Sequence, residues 1–402
     1  MRRFAKSFTQ QEPLSEASIE AAVAVMRSGR LHRYNLIDGE KGETALLEQE
    51  FAEVLGVPYA LACASGGYAL QLALRACGLE PGDRVLCNAF TLSPVPGSIH
   101  AAGGKAVLVD ILDDTTVDPD DLAAAARETG ARFFMLSHMR GHIGDMDAIV
   151  AVCDAQGIIL IEDCAHTMGA SYAGRPSGIF GKVGCFSTQT YKHINSGEGG
   201  LLATSDPEIM RRAVIMSGSY MLYDRHLAAP EADSFRETRL VTPNMSGRMD
   251  NLRAAVLRPQ LAELKERQAR WNALYRRIEH GLSELSQVLT IPRPAEEDFV
   301  GSSIQFRLPS LSPDRIAQFV AGCETRGIPL KWYGKPQPED YTSRYDSWRY
   351  LPATRALPNA DRILAELCDL RLPLTFTEEE CDDIVQLMGD AMEEATDKTK
   401  NP

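Results

Sequence analysis

The 402-residue sequence lacks the features that mark nucleic-acid-binding, membrane-spanning and disulfide-stabilised proteins. Its formal net charge is −13 and no long basic run offsets this charge, so we expect no nucleic-acid partner. No stretch approaches the roughly 18 apolar residues of a membrane span, and residues 1–13 lack the apolar segment of a secretory signal. The nine cysteines are odd in number and include no C-x-x-C pair. These absences predict reduced thiols, no metal site, no membrane association and a cytoplasmic location.

What the chain does contain is a regular alternation of short apolar runs and helical patterns, beginning near residue 59. Such runs are typical of buried parallel strands, and the helical patterns between them are typical of crossover helices. The predicted strands are 59–64, 84–88, 105–110, 132–137, 158–163, 184–187 and 200–204, and the predicted helices are 67–77, 93–102, 119–129 and 145–156. We therefore predict a doubly wound α/β domain with a mostly parallel seven-stranded sheet, whose ligands would bind beyond the carboxyl ends of the strands.

The length of the chain favours two domains rather than one. We divide it into an N-terminal segment (1–35), a large α/β domain (36–250), and a linker helix followed by a smaller C-terminal α+β domain (251–402). The further predicted elements are helices over 15–28, 312–327 and 377–395, one long helix or two over 250–283, and a strand over 302–309. Thr377 and Glu380 have the spacing of a capping box at the start of the last helix.

Two charged residues stand out against this framework. Asp163 ends the apolar run "IILIED", and Lys192 follows after one more short strand. Taken singly, each is most simply a solvent-exposed charge, because a buried charge is costly unless it is paired. Taken together, they are what pyridoxal 5'-phosphate (PLP) requires, since this cofactor needs an amine that forms an imine with it and an acid that keeps its ring nitrogen protonated.

A phosphate group also requires hydroxyls and backbone amides, and the N-terminus of a helix supplies such amides. Ser65, Gly66 and Gly67 come directly before a predicted helix, and Ser187 lies five residues before Lys192. These residues are therefore the candidate phosphate ligands.

Four segments, in this order, resemble the DegT/DnrJ/EryC1/StrS family of PLP-dependent sugar aminotransferases. They are "ASGGYALQLALRACGLEPGDRVLCNAFT", "EDCAHTMGASYAGRPSGIFGKVGCFSTQTYKHINSGEGG", "RMDNLRAAVLRPQL" and "LPNADRILAELCDLRLPLTFTEEECDDIV". The resemblance runs over most of the chain. It implies the aspartate aminotransferase fold, fold type I of PLP-dependent transferases, with a large α/β domain and a smaller C-terminal α+β domain.

The resemblance also implies catalytic and cofactor-binding roles at the matching positions. Lys192 would hold PLP through a Schiff base and move a proton during the reaction, with pyridoxamine 5'-phosphate as an intermediate form of the cofactor. Asp163 would contact the ring nitrogen, and His166 would lie over the ring or near its phenolic oxygen. Ser187 would bind the phosphate.

At three positions the chain departs from the family pattern. Gly67 replaces a threonine that offers a hydroxyl to the phosphate, and Leu92 replaces an aromatic residue that stacks on the pyridine ring. Ser246 replaces an asparagine that reaches the phosphate bound by the partner subunit, although Asn244 is close by. Contacts to the cofactor are therefore expected to be rearranged or weaker.

The function implied is transfer of an amino group from L-glutamate or L-glutamine to a keto-sugar, a nucleotide-linked keto-sugar or a related cyclic carbonyl compound, by a homodimer with a shared active site. Candidate substrate contacts are Arg33, Tyr34, His138, Arg140 and Lys331, since a basic side chain can bind a carboxylate. Two alternatives stay open. One is a PLP enzyme of the same fold with lyase, racemase or aldol-type chemistry, and the other is a non-catalytic regulatory homologue.

Overall fold

The computed structural model describes residues 2–37, 39–338, 344–351 and 355–397. Its helices are α1 (Glu16–Ser28), α2 (Glu43–Leu55), α3 (Gly66–Ala76), α4 (Pro94–Ala102), α5 (Pro119–Thr129), α6 (Met146–Gln156), α7 (Pro207–Gly218), α8 (Thr238–Val241), α9 (Asn251–Ala262), α10 (Leu264–Ser283), α11 (Pro313–Thr325), α12 (Pro358–Glu366) and α13 (Glu378–Thr396). Within the residues described, none of these helices combines the length and the apolar character that crossing a membrane would need.

The strands are β1 (Tyr59–Cys63), β2 (Arg84–Asn88), β3 (Lys105–Val109), β4 (Phe133–Ser137), β5 (Ile159–Asp163), β6 (Ser171–Tyr172), β7 (Arg175–Pro176), β8 (Val183–Ser187), β9 (Gly200–Thr204), β10 (Leu289–Thr290), β11 (Glu297–Asp298), β12 (Ser303–Arg307), β13 (Lys331–Trp332) and β14 (Leu367–Arg371). They form a seven-stranded sheet, a four-stranded sheet and a small three-stranded sheet.

The seven-stranded sheet has the order β1-β9-β8-β5-β4-β2-β3. Its strands run parallel except for β9, which is antiparallel to both of its neighbours. Every residue of β4, β8 and β9 is buried, because helices cover both faces of the sheet, and this explains the unbroken apolar runs in the sequence. The predicted mostly parallel sheet is confirmed, and the ends of each of its seven predicted strands lie within one residue of the observed ends.

The C-terminal part of the chain forms the four-stranded antiparallel sheet, in the order β10-β12-β14-β13. Helix α10 contacts this sheet, helices α11 and α13 share its apolar core, and α13 begins with the predicted capping box of Thr377 and Glu380. Residues 250–283, over which one long helix or two are predicted, form two helices, α9 and α10, which meet at Glu263. The domain boundaries near residues 35 and 250 stay predictions, because apolar side chains of both sheets share one continuous core.

Candidate active site

A cavity of about 730 Å³ opens at the carboxyl edge of the seven-stranded sheet. Strands β4, β5 and β8 run parallel and end at this edge, so the residues at their ends converge there. Ten of the predicted site residues line the cavity: Ser65, Gly66, Gly67, Leu92, Arg140, Asp163, His166, Ser187, Lys192 and Lys331. The fold thus brings most of the predicted cofactor and catalytic residues around one space.

Lys192 lies in the loop between β8 and β9, and its Nζ is 3.0 Å from Nε2 of His166. Burial lowers the pKa of the Lys192 amine to about 7. The carboxylate of Asp163 opposes this change, whereas the cations of Arg140 and Arg371 add to it. A large fraction of the amine is therefore uncharged at neutral pH, which is the form that a nucleophile or a base needs.

Asp163 is the last residue of β5 and is buried. Its Oδ2 accepts a hydrogen bond from Oγ of Ser137 at 2.9 Å, and its Oδ1 accepts one from the backbone N–H of Ala165 at 3.1 Å. Two donors from different elements thus fix the orientation of the carboxylate. Since carboxylate oxygens can accept more than one bond, Asp163 can still receive an N–H from a ligand in the cavity.

His166 contacts the reactive amine from the segment that follows β5. Burial holds the pKa of its imidazole well below the usual value, and the charge of Lys192 lowers it further. The ring is therefore neutral and offers one nitrogen as a donor and the other as an acceptor. A neutral ring beside Lys192 does not repel the amine, and it can share a proton with it.

The N-terminus of α3 forms another wall of the cavity. Ser65 is the N-cap, and its Oγ accepts from the backbone N–H of Tyr68 at 3.1 Å. A Cβ added to Gly66 would lie only 2.8 Å from Cβ of Ser187, so this glycine lets the helix approach the end of β8 closely. At Gly67 there is more room, because an added Cβ would meet nothing closer than an oxygen at 3.7 Å.

The structure corrects the expectation that Arg33 contacts a substrate. Arg33 is buried, and its two terminal nitrogens each donate to a carboxylate oxygen of Glu48 at 2.8 Å. Burial alone would raise the pKa of Glu48, but the charges of Arg33 and His226 lower it to about 2. Tyr34 belongs to the same cluster, since its hydroxyl is 2.8 Å from Nε2 of His226. Neither Arg33 nor Tyr34 lines the cavity, because both are committed to this internal network.

His138 is likewise placed outside the cavity, which corrects the second substrate expectation. It is buried, and its Nε2 is 3.1 Å from Oε2 of Glu162. The other oxygen of Glu162 accepts from the backbone N–H groups of Phe180 and Gly181, each at 2.8 Å. This buried carboxylate therefore ties His138 to the chain that leads into β8, which is a structural role.

Arg140 lines the cavity but is held firmly in place. Its backbone has a φ of 57°, in the left-handed region that a side chain rarely adopts. One terminal nitrogen is 3.0 Å from Oδ2 of Asp369, and its Nε donates to the hydroxyl of Tyr333 at 3.3 Å. Arg140 therefore joins the loop after β4 to the four-stranded sheet.

Asn244 and Ser246 do not line the cavity of their own chain. The amide nitrogen of Asn244 donates to the carbonyl of Ser219 at 2.8 Å, and Oγ of Ser246 accepts from Arg248 at 3.0 Å. Their predicted contact with the cofactor of a partner subunit stays a prediction.

Several polar cavity residues were not indicated by the sequence: Ser137, Gln189, Tyr191, Ser302, Ser303 and Arg371. Ser137 could have been proposed as a site residue, because it ends β4 just as Asp163 ends the neighbouring strand, and the two residues pair in register. Arg371 comes from β14 in the other sheet, and no local pattern connects it to Lys192.

Comparison with known proteins gives the family of the chain. The model of the DegT/DnrJ/EryC1/StrS aminotransferase family matches residues 14–389. The L-glutamine:2-deoxy-scyllo-inosose aminotransferase of Streptoalloteichus tenebrarius is 35% identical over 265 residues, which are 65% of this chain and 61% of that protein. The match thus spans less than two thirds of that relative's length.

Two solved structures are similar along nearly the whole chain. 3-Amino-5-hydroxybenzoic acid synthase has a TM-score of 0.83 and 26% identity, covering 97% of this chain and 100% of that chain. DesV of S. venezuelae, solved in complex with a ketimine intermediate, has a TM-score of 0.77 and 27% identity, covering 94% of each. They confirm the predicted fold class, fold type I of the PLP-dependent transferases. Because the family model covers all but the ends of the sequence, this protein belongs to the DegT/DnrJ/EryC1/StrS aminotransferase family.

Proposed function

We propose that the protein is a PLP-dependent aminotransferase, which moves an amino group from L-glutamate or L-glutamine to a keto-sugar, a nucleotide-linked keto-sugar or a related cyclic carbonyl compound. The observation that carries this proposal is the amine of Lys192, which has a pKa of about 7 in a cavity that also holds Asp163 and His166. Family membership supports it, as do two relatives, one named for L-glutamine and 2-deoxy-scyllo-inosose and the other for an amino-substituted hydroxybenzoic acid.

The cavity residues fit PLP. The first N–H groups of a helix have no partner within that helix, so the start of α3 at Gly66 offers donors to a phosphate. The hydroxyl of Ser187 lies at the same corner, since a Cβ on Gly66 would be 3.2 Å from its Oγ. Asp163 offers carboxylate oxygens to a protonated ring nitrogen, and Leu92 offers an apolar surface to the ring. Lys192 supplies the amine.

When bound, PLP supplies an aldehyde that reacts with amines and a protonated ring that accepts electrons. The residues of the chain supply binding and proton transfer. Nζ of Lys192 can take a proton from Cα of the amino donor, because its pKa keeps a lone pair available at neutral pH. His166, 3.0 Å away and neutral, can share that proton and orient the amine. Asp163, fixed by two hydrogen bonds, would hold a proton at the ring nitrogen of bound PLP.

The test is to add PLP to the purified protein, reduce the complex with borohydride and locate the modified lysine by mass spectrometry. We expect the label on Lys192 in the wild type and none at that site in Lys192→Ala, whereas Lys182→Ala, which removes an exposed lysine, should behave as the wild type. Adding L-glutamate or L-glutamine to the unreduced complex should convert it to the pyridoxamine phosphate form. Labelling of another lysine would overturn the site, and failure of both donors would overturn transamination in favour of another PLP chemistry.

A homodimer with a shared active site is part of this proposal. Met221, Leu240 and Val241 are 67%, 73% and 82% exposed, which leaves apolar surface on the segment that leads to Asn244 and Ser246. In the proposed dimer a second copy of the chain covers this surface, and Asn244 and Ser246 would reach the partner's cavity. The exposed apolar side chains on this segment support that arrangement.

A further inference from the structure

His193, the residue after Lys192, is buried but does not line the cavity. Its ring instead packs against the indole of Trp271 in α10, with the two ring centroids 5.3 Å apart. Two consecutive residues of the loop between β8 and β9 thus point to opposite sides, the amine of Lys192 into the cavity and the imidazole of His193 into the core. The proposed reaction uses the first of them and gives the second no part.

Two polar contacts of His193 join the loop to other elements. Its Nε2 is 3.2 Å from Oγ of Ser302, the residue before β12, and its carbonyl oxygen accepts a hydrogen bond from Nε of Arg267 in α10 at 3.1 Å. Ser302 and Trp271 are themselves fixed by Leu372, whose backbone N–H donates to the carbonyl of the serine and whose carbonyl accepts from the indole, each at 2.9 Å. The ring of His193 therefore enters a firmly held recess.

The imidazole of His193 is neutral at pH 7. Burial lowers its pKa to about 3, and the charge of Lys192 contributes to this fall. A neutral imidazole has one nitrogen that donates and one that accepts, so Nε2 can take either part in its bond with the hydroxyl of Ser302. Replacing His193 with an uncharged residue therefore removes a hydrogen bond and packing but no charge.

The state of the Lys192 amine depends on the position of its loop. Its pKa of about 7 results chiefly from burial, and its Nζ lies 3.0 Å from Nε2 of His166. A loop that moved outward would return the amine to water and break this contact. Farther along the loop, Asn195 exchanges hydrogen bonds with Gln260 of α9. His193 supplies the anchor directly beside the amine.

We propose that His193 is a positioning residue for the proposed reaction. Its bond with Ser302 and its packing on Trp271 hold the loop in place. The amine of Lys192 thereby stays in the cavity beside His166. Ser302 also lines the cavity, so the same bond fixes the orientation of a hydroxyl in its wall. This role rests on the proposed function, since the anchor serves the reactivity of Lys192.

The first experiment measures the protonation of the amine in the cofactor-free protein. Acetic anhydride labels uncharged amines, and mass spectrometry gives the extent of labelling at Lys192 as a function of pH. The wild type should show a midpoint near pH 7. In His193→Leu, which keeps an apolar side chain but loses the bond with Ser302, the amine should gain water and the midpoint should rise by about one pH unit or more. An unchanged midpoint in folded His193→Leu would overturn the proposal.

Two further variants test the hydrogen bond itself. Glutamine carries an amide that can take the place of Nε2, so His193→Gln should restore the wild-type midpoint. Ser302→Ala removes the other partner and should raise the midpoint as His193→Leu does, and the double variant should show no further rise. If His193→Leu does not fold, Ser302→Ala decides alone, because a midpoint that it leaves unchanged contradicts the proposal.

Charge and stability are controlled separately. The charged groups that act on the amine, Asp163, Arg140 and Arg371, are retained in every variant. Phe319→Leu is the matched control for stability, because Phe319 is a fully buried residue of α11 that does not line the cavity. It should lower the urea concentration at which half of the protein is unfolded without moving the labelling midpoint. An equal shift of the labelling midpoint in Phe319→Leu would show that general loosening of the fold controls the amine, against the proposal.

The second experiment relates the anchor to the reaction, using protein with a limiting concentration of PLP at pH 7. Borohydride reduction followed by mass spectrometry gives the fraction of Lys192 joined to PLP. This fraction should fall about fivefold in His193→Leu, because a rise of one pH unit leaves about a tenth of the amine uncharged instead of about half. It should recover in His193→Gln. If wild-type Lys192 takes no label, the proposed function falls while the first experiment still stands. If His193→Leu is labelled as fully as the wild type, the positioning role falls alone.

Discussion

Replacing Lys192 with Met should make the cofactor-free protein more stable, because folding withdraws this amine from water. The pKa of Lys192 falls from its ordinary 10.5 to about 7 in the folded chain. Below pH 7 the amine is charged in both the folded and the unfolded chain, so folding carries the full cost of burying the charge. Between pH 7 and 10.5 the unfolded chain binds more protons than the folded one, so the stability of the wild type rises with pH.

The size of the effect follows from the change in pKa. The pKa falls by about 3.5, and at roughly 1.4 kcal/mol per pKa unit this fall sets an upper limit of about 5 kcal/mol on the gain in stability. Lys192 keeps some contact with water, which reduces the cost of its charge, so we expect Lys192→Met to raise the free energy of unfolding by about 2–3 kcal/mol at neutral pH. The gain should shrink as the pH rises and should vanish above 10.5, where the amine is neutral in both states.

Urea unfolding of the wild type and Lys192→Met at about pH 6, 8 and 10 measures this gain directly. Lys182→Met is the control, since Lys182 is exposed and its removal should change stability little at any of these pH values. A difference between Lys192→Met and the wild type that is constant with pH, or a variant less stable than the wild type near pH 7, would refute the burial of a reactive amine.

Three further predictions concern other parts of the molecule. Gly66→Ala should lower stability and weaken PLP binding, because its methyl would lie 2.8 Å from Cβ of Ser187. Urea unfolding and titration with PLP measure these two effects, and Gly67→Ala, which has more room, should change neither. Arg33→Met should cost about 3–5 kcal/mol in urea unfolding, since it leaves the buried carboxylate of Glu48 without its guanidinium partner, and a loss below about 1 kcal/mol would contradict this. Val241→Asp should shift the mass measured by light scattering from dimer to monomer, and an unchanged dimer would contradict the proposed interface.

Much of the large domain was predictable because its strands are buried on both faces. A strand such as β4, with all five residues buried, must be apolar throughout, and so it is visible in the sequence. The rule that ligands bind beyond the carboxyl ends of parallel strands then placed Asp163 and Lys192 at one cavity. Helices α2 and α7 were not predicted, although each carries a recognisable apolar face. Because α2 was not predicted, Glu48 in that helix could not be recognised as the partner of a buried arginine.

The roles of the arginines could not be predicted from the local sequence. The sequence indicated Arg33 as a candidate, because a basic side chain can bind a carboxylate, whereas Arg371 was not indicated, because it lies among mostly apolar residues over 367–374. In the folded chain Arg371 lines the cavity and Arg33 does not. Folding buries Arg33 against Glu48, and within the described residues it leaves Arg371 without an ion pair beside the cavity, because Asp369 pairs with Arg140 from the loop after β4. Whether a cation can bind a substrate depends on which acid the fold places next to it, and that pairing joins residues far apart in the chain.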